Sequence, residues 1–208
     1  MDKWFVEVVK PKLKGKAFMV RYADDLLICC EREDDAHRLM EVLPRRFGRY
    51  GLKLHPDKTR LVPFCSPRRL GGDREQAGSF DFLGFTHYWG RTLRGTFVIT
   101  QKTMDKRFTG GLKRLREWFS AVLHVPIQEQ HKKLCEKLRG HYGYYGITGN
   151  SRSIGRFLHE AKRSWFYWLR RRGQKRRGTW NWFKQLLSRH PLPLPRITRP
   201  ITIRIAKP

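Results

Sequence analysis

Residues 17–30 read AFMVRYADDLLICC, two short apolar runs, 17–22 and 26–30, separated only by "ADD". Both runs are rich in strand formers, and so brief a link between them is the pattern of a tight β-hairpin buried in a sheet. The expectation is that Asp24 and Asp25 sit at its tip. Adjacent carboxylates at a buried tip repel each other, so one is protonated, both are solvated, or a divalent cation neutralises them. Only the cation makes the arrangement useful. Hard ions take oxygen ligands, and two Mg²⁺ about 3.5–4 Å apart are a common device of phosphoryl and nucleotidyl transfer. An ordinary acidic turn is the alternative, because Asp tolerates both turn geometry and solvent.

Around this hairpin the pattern is mixed. Trp4, Phe5, Val8 and Val9 share one face of a short helix that Pro11 ends. From Asp34 to Tyr50, Ala36, Leu39, Met40, Leu43 and Phe47 recur at helical spacing, with Pro44 expected to kink or break the helix. "GLKLHPDKTRLVPF" reads as a turn, a polar loop and a strand around Arg60–Phe64, and residues 66–79 as a flexible insertion without a packing pattern. "FDFLGFTHYWG" resumes ordered structure, and an edge strand is expected near 96–100.

Beyond about residue 102 the period becomes helical. Phe108, Leu112, Leu115, Phe119 and Val122 repeat at steps of four and three. So do Ile127, His131, Leu134 and Leu138, and Ile154, Phe157, Ala161, Trp165 and Trp168. A last helix is expected from Thr179, its N-cap, to Ser188. The fold class is therefore α+β: residues 1–101 mixed, 102–190 a helical bundle, and 191–208 an extended basic tail.

Charge names the class of partner. Forty-five Lys and Arg against 18 Asp and Glu leave a net charge of +27, which repels itself unless a polyanion offsets it. Residues 1–100 hold 19 basic and 13 acidic side chains and residues 101–208 hold 26 and 5, an excess of +6 against +21. Seven Trp and seven Tyr among those charges suit ring stacking together with phosphate contact, so nucleic acid is the expected partner. The candidates for phosphate contact are Arg107, Lys113, Arg114, Arg116, Lys132, Lys133, Arg139, Arg163 and the runs Arg170, Arg171, Arg172 and Lys175, Arg176, Arg177. Tyr142, Tyr144 and Tyr145 stack on bases or pack between helices, with packing expected of at least one. The four cysteines form no C-x-x-C pair and have no His at ligand spacing, so they read as reduced core thiols of a cytoplasmic protein. No apolar run approaches a membrane span.

Tyr-Ala-Asp-Asp between two apolar strands resembles the palm hairpin of reverse transcriptases, and the blocks downstream of it resemble those of the bacterial group II intron reverse transcriptase/maturase family. "GLKLHPDKT" (51–59) is similar to that family's Gly-Leu-x-Leu turn leading to Lys-Thr, and "FDFLGF" (80–85) to its Phe-Leu-Gly-Phe block. "KLRGHYGYYGITGN" (137–150) resembles the signature of its thumb, or maturase, region, and "WLRRRGQKRRGTWNWF" (168–183) its basic, Trp-bearing end. The resemblance implies that Asp24 and Asp25 bind Mg²⁺ in a two-metal site, Asp24 as the direct ligand, with Tyr22 beside the nucleotide or primer end. It implies that Lys58 assists the leaving pyrophosphate, although a solvated loop lysine reads the same way. Phe82, Leu83, Gly84 and Phe85 correspond to the primer grip, where core packing accounts for the phenylalanines nearly as well.

The family fold also uses an earlier strand carrying a further metal-binding aspartate, fingers that hold template and nucleotide, and a Pro-Gln-Gly loop. The expectation is that this chain is the C-terminal part of such an enzyme: palm remainder, thumb and maturase region. It would bind structured intron RNA and an RNA/DNA primer-template, with the remaining half supplied covalently or in trans. The alternatives are an RNA-binding splicing module without chemistry, an inactive truncated relic, or a reverse transcriptase of the diversity-generating or CRISPR-linked type.

Overall fold

In the computed structural model, which describes residues 1–71, 77–172 and 178–200, the first twelve residues wind through three kinds of helical turn. These are α1 (Asp2–Trp4), a π-helical turn over Phe5–Val9 and a 3-10 turn over Lys10–Lys12. The wider π winding changes which side chains share a face. Phe5 and Val9 are buried, whereas Val8, expected beside them, is 42% exposed. Pro11 lies within the 3-10 turn, which tolerates it at its start, instead of ending the helix.

β1 (Ala17–Tyr22) and β2 (Asp25–Cys30) pair antiparallel, in register from Ala17↔Cys30 to Tyr22↔Asp25. The reversal is therefore only Ala23 and Asp24, with Ala23 at φ 52°, and Asp25 opens β2 instead of sharing the tip as expected. Alternation along the strands gives the hairpin two unlike faces. Ala17, Met19, Ile28 and Cys30 pack with Phe5, Val9 and Leu39 in a small core. Phe18, Val20 and Tyr22, on the other face, are 59%, 42% and 66% exposed. The apolar runs predict a hairpin buried in a sheet; instead the sheet has two strands and is covered on one face.

α2 (Glu33–Gly48) runs unbroken through Pro44, so of the expected kink or break the break does not occur. Its Leu39 and Leu43 are buried, and so is Asp35, a charged residue the apolar pattern does not flag. The Asp35 carboxylate accepts from the Lys14 N–H (3.2 Å) and the Gly15 N–H (2.8 Å), fixing the turn that leads into β1. Residues 60–66 form no strand. Pro63 has no N–H for a ladder, and the segment is held by contact: Phe64 packs edge-on against Phe80 at 5.0 Å, and a Cβ on Gly78 would fall on the Pro63 carbonyl oxygen. The expected loose insertion has order at both ends, with a 3-10 turn over Pro67–Leu70 and buried Pro67 and Ala77.

A second sheet comprises β3 (Ser79–Phe82), β4 (Phe85–Arg91) and β5 (Phe97–Thr103), in the order β3-β4-β5, which makes β5 an edge as expected. The chain divides into two compact units, Met1–Leu83 with Arg91–Val98, and Gly84–Gly90 with Ile99–Pro208. In the second lie α3 (Asp105–Ala121), α4 (Ile127–Tyr145), α5 (Ser151–Leu169) and α6 (Trp180–Arg189). Their periodic apolar residues meet in one core containing Leu112, Phe119, Leu134, Leu138, Ile154 and Trp165. Thr179 caps α6 as expected, its Oγ1 accepting from the Trp182 N–H at 3.2 Å.

Two buried amides hold the bends between these elements. Gln130 donates to the carbonyls of Val122 (2.7 Å) and Val125 (3.0 Å), and its Oε1 accepts from the Trp165 indole at 3.0 Å. Asn150 accepts from the Thr103 N–H at 2.8 Å and donates to Thr103 Oγ1 and to the Tyr145 carbonyl, each at 2.8 Å. Residues 191–200, the described part of the expected extended tail, dock along α4. Tyr142 Oη donates to the Pro193 carbonyl at 3.2 Å, the Thr198 N–H to the Gly146 carbonyl at 2.7 Å, and Leu192 is buried. Prolines leave this strap few donors of its own, so α4 supplies a hydroxyl to its carbonyls. Residues 201–208 of the expected tail lie outside the described residues.

His141 makes the stability of the helical unit depend on pH. Its ring stacks 3.7 Å from Phe157, its Nε2 is buried with no hydrogen-bond partner among the described residues, and burial lowers its pKa from 6.5 to about 4. Below pH 6.5 the unfolded chain takes up a proton that the folded one refuses. Stability is therefore complete above pH 6.5 and falls toward pH 4 by on the order of 3 kcal/mol. Denaturant titrations across that range are expected to show this slope in the native protein and a shallower one in His141→Phe.

Candidate functional site

A two-residue reversal between β1 and β2 requires left-handed backbone, and Ala23 bears that strain at φ 52°. The turn presents Asp24 to solvent, and the pleat places Asp25 on the uncovered face, paired across the ladder with exposed Tyr22. Tyr22, Asp24 and Asp25 are thus brought together. Neither carboxylate has a hydrogen-bond or ion-pair partner among the described residues. The adjacent Arg21, on the other face, is held by Asp2 through a two-pronged pair at 3.0 and 2.9 Å, so it does not neutralise them.

The donor chemistry of the pair suits a hard divalent cation, since every available atom is a carboxylate oxygen. The donor number falls short. Among the described residues no group of three or more His, Cys, Asp or Glu side chains could hold a metal ion. Lys58 is exposed in the turn after His55, whose carbonyl accepts from the Lys58 N–H at 3.2 Å, and no described hydrogen bond or ion pair joins its side chain to the aspartates.

Phe82 ends β3 and Phe85 begins β4, leaving Leu83 and Gly84 as a two-residue turn with φ 50° and 77°. Two consecutive left-handed residues match the twist of the flanking strands, and Gly84 adopts that geometry at no steric cost. The Gly84 carbonyl accepts from the Met104 N–H at 3.0 Å, and a Cβ at Gly84 would lie 3.4 Å from Tyr145 Oη and 3.8 Å from Arg107. Phe85 stacks on Tyr144 at 5.8 Å and meets Tyr145 edge-on at 5.4 Å. Gly84, Phe85, Arg107, Tyr144 and Tyr145 therefore form one aromatic and basic cluster. The buried member of the tyrosine set is Tyr142, 3% exposed, while Tyr144 is 48% exposed.

The motif after those tyrosines is structural. Gly146 and Gly149 permit close approach, the first to the docked strap and the second, at φ 89°, to Thr100, and Asn150 makes three buried hydrogen bonds. Spacing alone does not mark Asn150, although a lone amide at the end of a helix is the available signal.

Of the basic candidates, Arg107, Lys113, Arg114, Arg116, Lys132, Lys133, Arg139, Arg163, Arg170 and Arg171 are exposed. Lys113, Lys133 and Arg163 pair with Glu117, Glu136 and Glu160 at 3.9, 3.0 and 3.4 Å. Such exposed pairs are weak and yield readily to phosphate. Arg172 differs from these: it is half-buried and donates to the Val125 carbonyl at 2.7 Å. Lys175, Arg176 and Arg177 lie outside the described residues. Sequence reading misses Tyr167 and Trp180 as individual residues. Both are exposed beside Arg170 and Arg171 on the side of α5 away from its core face.

Residues 1–87 match the family model for reverse transcriptase (RNA-dependent DNA polymerase). The matched segment contains the hairpin, Lys58 and the Phe-Leu-Gly-Phe turn. No curated protein matches the chain.

Two glycines give opposite outcomes on substitution. Gly84→Ala, forced to hold φ 77°, is expected to cost about 1–2 kcal/mol in a denaturant titration. Gly143→Ala, inside α4 with open space at its Cβ position, is expected to stabilise by about 0.5–1 kcal/mol.

Proposed function

We propose that this chain works in a group II intron-type reverse transcriptase, where the hairpin supplies Asp24 and Asp25 to a Mg²⁺ site and the helical part binds intron RNA and the primer-template. The observation that carries the reading is an exposed acid pair, in a segment matching the reverse-transcriptase family, at the end of a two-stranded sheet. Among the described residues the outer edges of β1 and β2 have no strand partner, so a further strand bearing a third acid can add there. Phe18, Val20 and Tyr22 would gain cover from the same addition.

When bound, Mg²⁺ in such a site activates the attacking oxygen and steadies the leaving one. The residues of this chain contribute the rest. Asp24 and Asp25 hold negative charge at a fixed place, and the exposed Tyr22 ring beside them offers a face to a sugar or base. Gly84 lets backbone approach a strand, with Arg107 and Tyr144 beside it as a cation and a ring. Lys58 would act only if the complete assembly brings it to the phosphates.

A non-catalytic splicing module is the second reading, favoured by the shortfall of metal donors and by the +21 excess in residues 101–208. Primer extension with Mg²⁺ and an RNA template separates the two. The chain alone is expected to make no cDNA. Supplemented with a polypeptide carrying the fingers and the other acid of an intron-type enzyme, it is expected to make cDNA that Asp24→Ala abolishes. Extension indifferent to Asp24→Ala would refute the catalytic reading. RNA affinity lost on Arg116→Glu with Lys132→Glu, but kept in Asp24→Ala, is expected under both.

A further inference from the structure

α5 has two working faces. Ile154, Phe157, Leu158, Ala161, Trp165 and Leu169 fill the core, and on the opposite side lie His159, Arg163, the adjacent Phe166 and Tyr167, and Arg170, each three or four residues from another of the set. With Arg171 and Trp180 they line a groove of about 580 Å³. Its floor is fixed. Phe166 meets Trp180 edge-on at 5.0 Å and lies 5.1 Å from Phe183, which is fully buried. Its rim is open, with Tyr167 48% and Trp180 42% exposed. The Arg171 guanidinium lies 4.3 Å from the Tyr167 ring centre, and that of Arg170 lies 5.5 Å from Phe166. Among the described residues none that lines the groove is acidic.

We propose that this groove is a docking site for an unpaired polynucleotide strand, with a base against Tyr167 or Trp180 and flanking phosphates on Arg163, Arg170 and Arg171. The inference rests on the helical part being an RNA-binding surface and narrows it to one place and one form of nucleic acid. An acidic peptide would satisfy the arginines but leave two rings in water. An apolar ligand would cover the rings but strip water from three guanidiniums, with nothing to offset the penalty. An unpaired strand presents π-faces and phosphates in alternation, which matches the alternation of rings and cations along the groove. A duplex hides its base faces in the stack, so it can engage only the arginines.

The test uses the full chain and labelled oligonucleotides of about twelve residues: single-stranded RNA, single-stranded DNA of the same sequence, and a blunt RNA duplex. Tyr167→Ala is expected to weaken binding of a single strand about tenfold or more, with Tyr167→Phe near native and duplex affinity within about twofold. The RNA and DNA arms tell which strand the groove takes, and a loss in either supports the site. A halogenated-uridine strand is expected to photocrosslink to Tyr167 or Trp180. Single-strand affinity unchanged in Tyr167→Ala, with crosslinks elsewhere, overturns the proposal. If Arg116→Glu with Lys132→Glu still lowers binding in that case, the broader RNA-binding reading survives; if the native chain binds no nucleic acid, both fall.

Discussion

A single buried amide sets the geometry on which the helical unit depends. Asn150 stands where α4 ends and α5 begins; two of its three hydrogen bonds tie that corner to Thr103 at the end of β5, and the third holds the Tyr145 carbonyl. All of its partners are buried or half-buried polar groups, so losing the amide leaves donors and acceptors that water cannot easily reach. Because Tyr145 is one of those partners, the same network fixes the end of α4, where Tyr144 and Tyr145 meet Phe85 and Gly84. A fold-determining contact and the aromatic cluster of the candidate site are thus one piece of chemistry.

The distribution of charge is the second organising constraint. The helical unit packs one apolar core and turns nearly all its described cations outward, where a few glutamates offset some of them. Exposed pairs of this kind are weak, so they hold the side chains near the surface without committing them. Arg172 shows the contrast, since a guanidinium bonded to a loop carbonyl has a structural task that its neighbours Arg170 and Arg171 lack. In the hairpin unit the logic reverses. Asp2 occupies Arg21, and Asp24 and Asp25 are left without an ion-pair partner among the described residues.

The elements are largely legible because their periods are local. The four long helices, the two strands of the hairpin and the cap at Thr179 all arise from spacing and turn chemistry within a few residues. The strand expected around Arg60–Phe64 fails because β-branched and apolar residues describe a half-buried surface without supplying a ladder partner, and Pro63 removes one donor outright. Pro44 does not break α2 because packing at Leu39 and Leu43 on the same helix outweighs one lost backbone bond. The docked strap escapes a local reading because its bonds span more than fifty positions, from Tyr142 to Pro193 and Thr198.

By itself the sequence determined the chemical inventory: an acid pair between two strands, a Phe-Leu-Gly-Phe reversal, and a cationic, ring-rich second half. Side-chain type and short-range spacing are written directly in the chain. Tertiary structure alone decided which of those groups are available. It left Asp24, Asp25 and Tyr22 open at the uncovered face of a two-stranded sheet, buried Tyr142 beneath the strap, tied Arg172 to a carbonyl, and set Tyr167 and Trp180 across one groove. Availability depends on what the rest of the chain packs against each residue, and that packing is a long-range property no local pattern encodes.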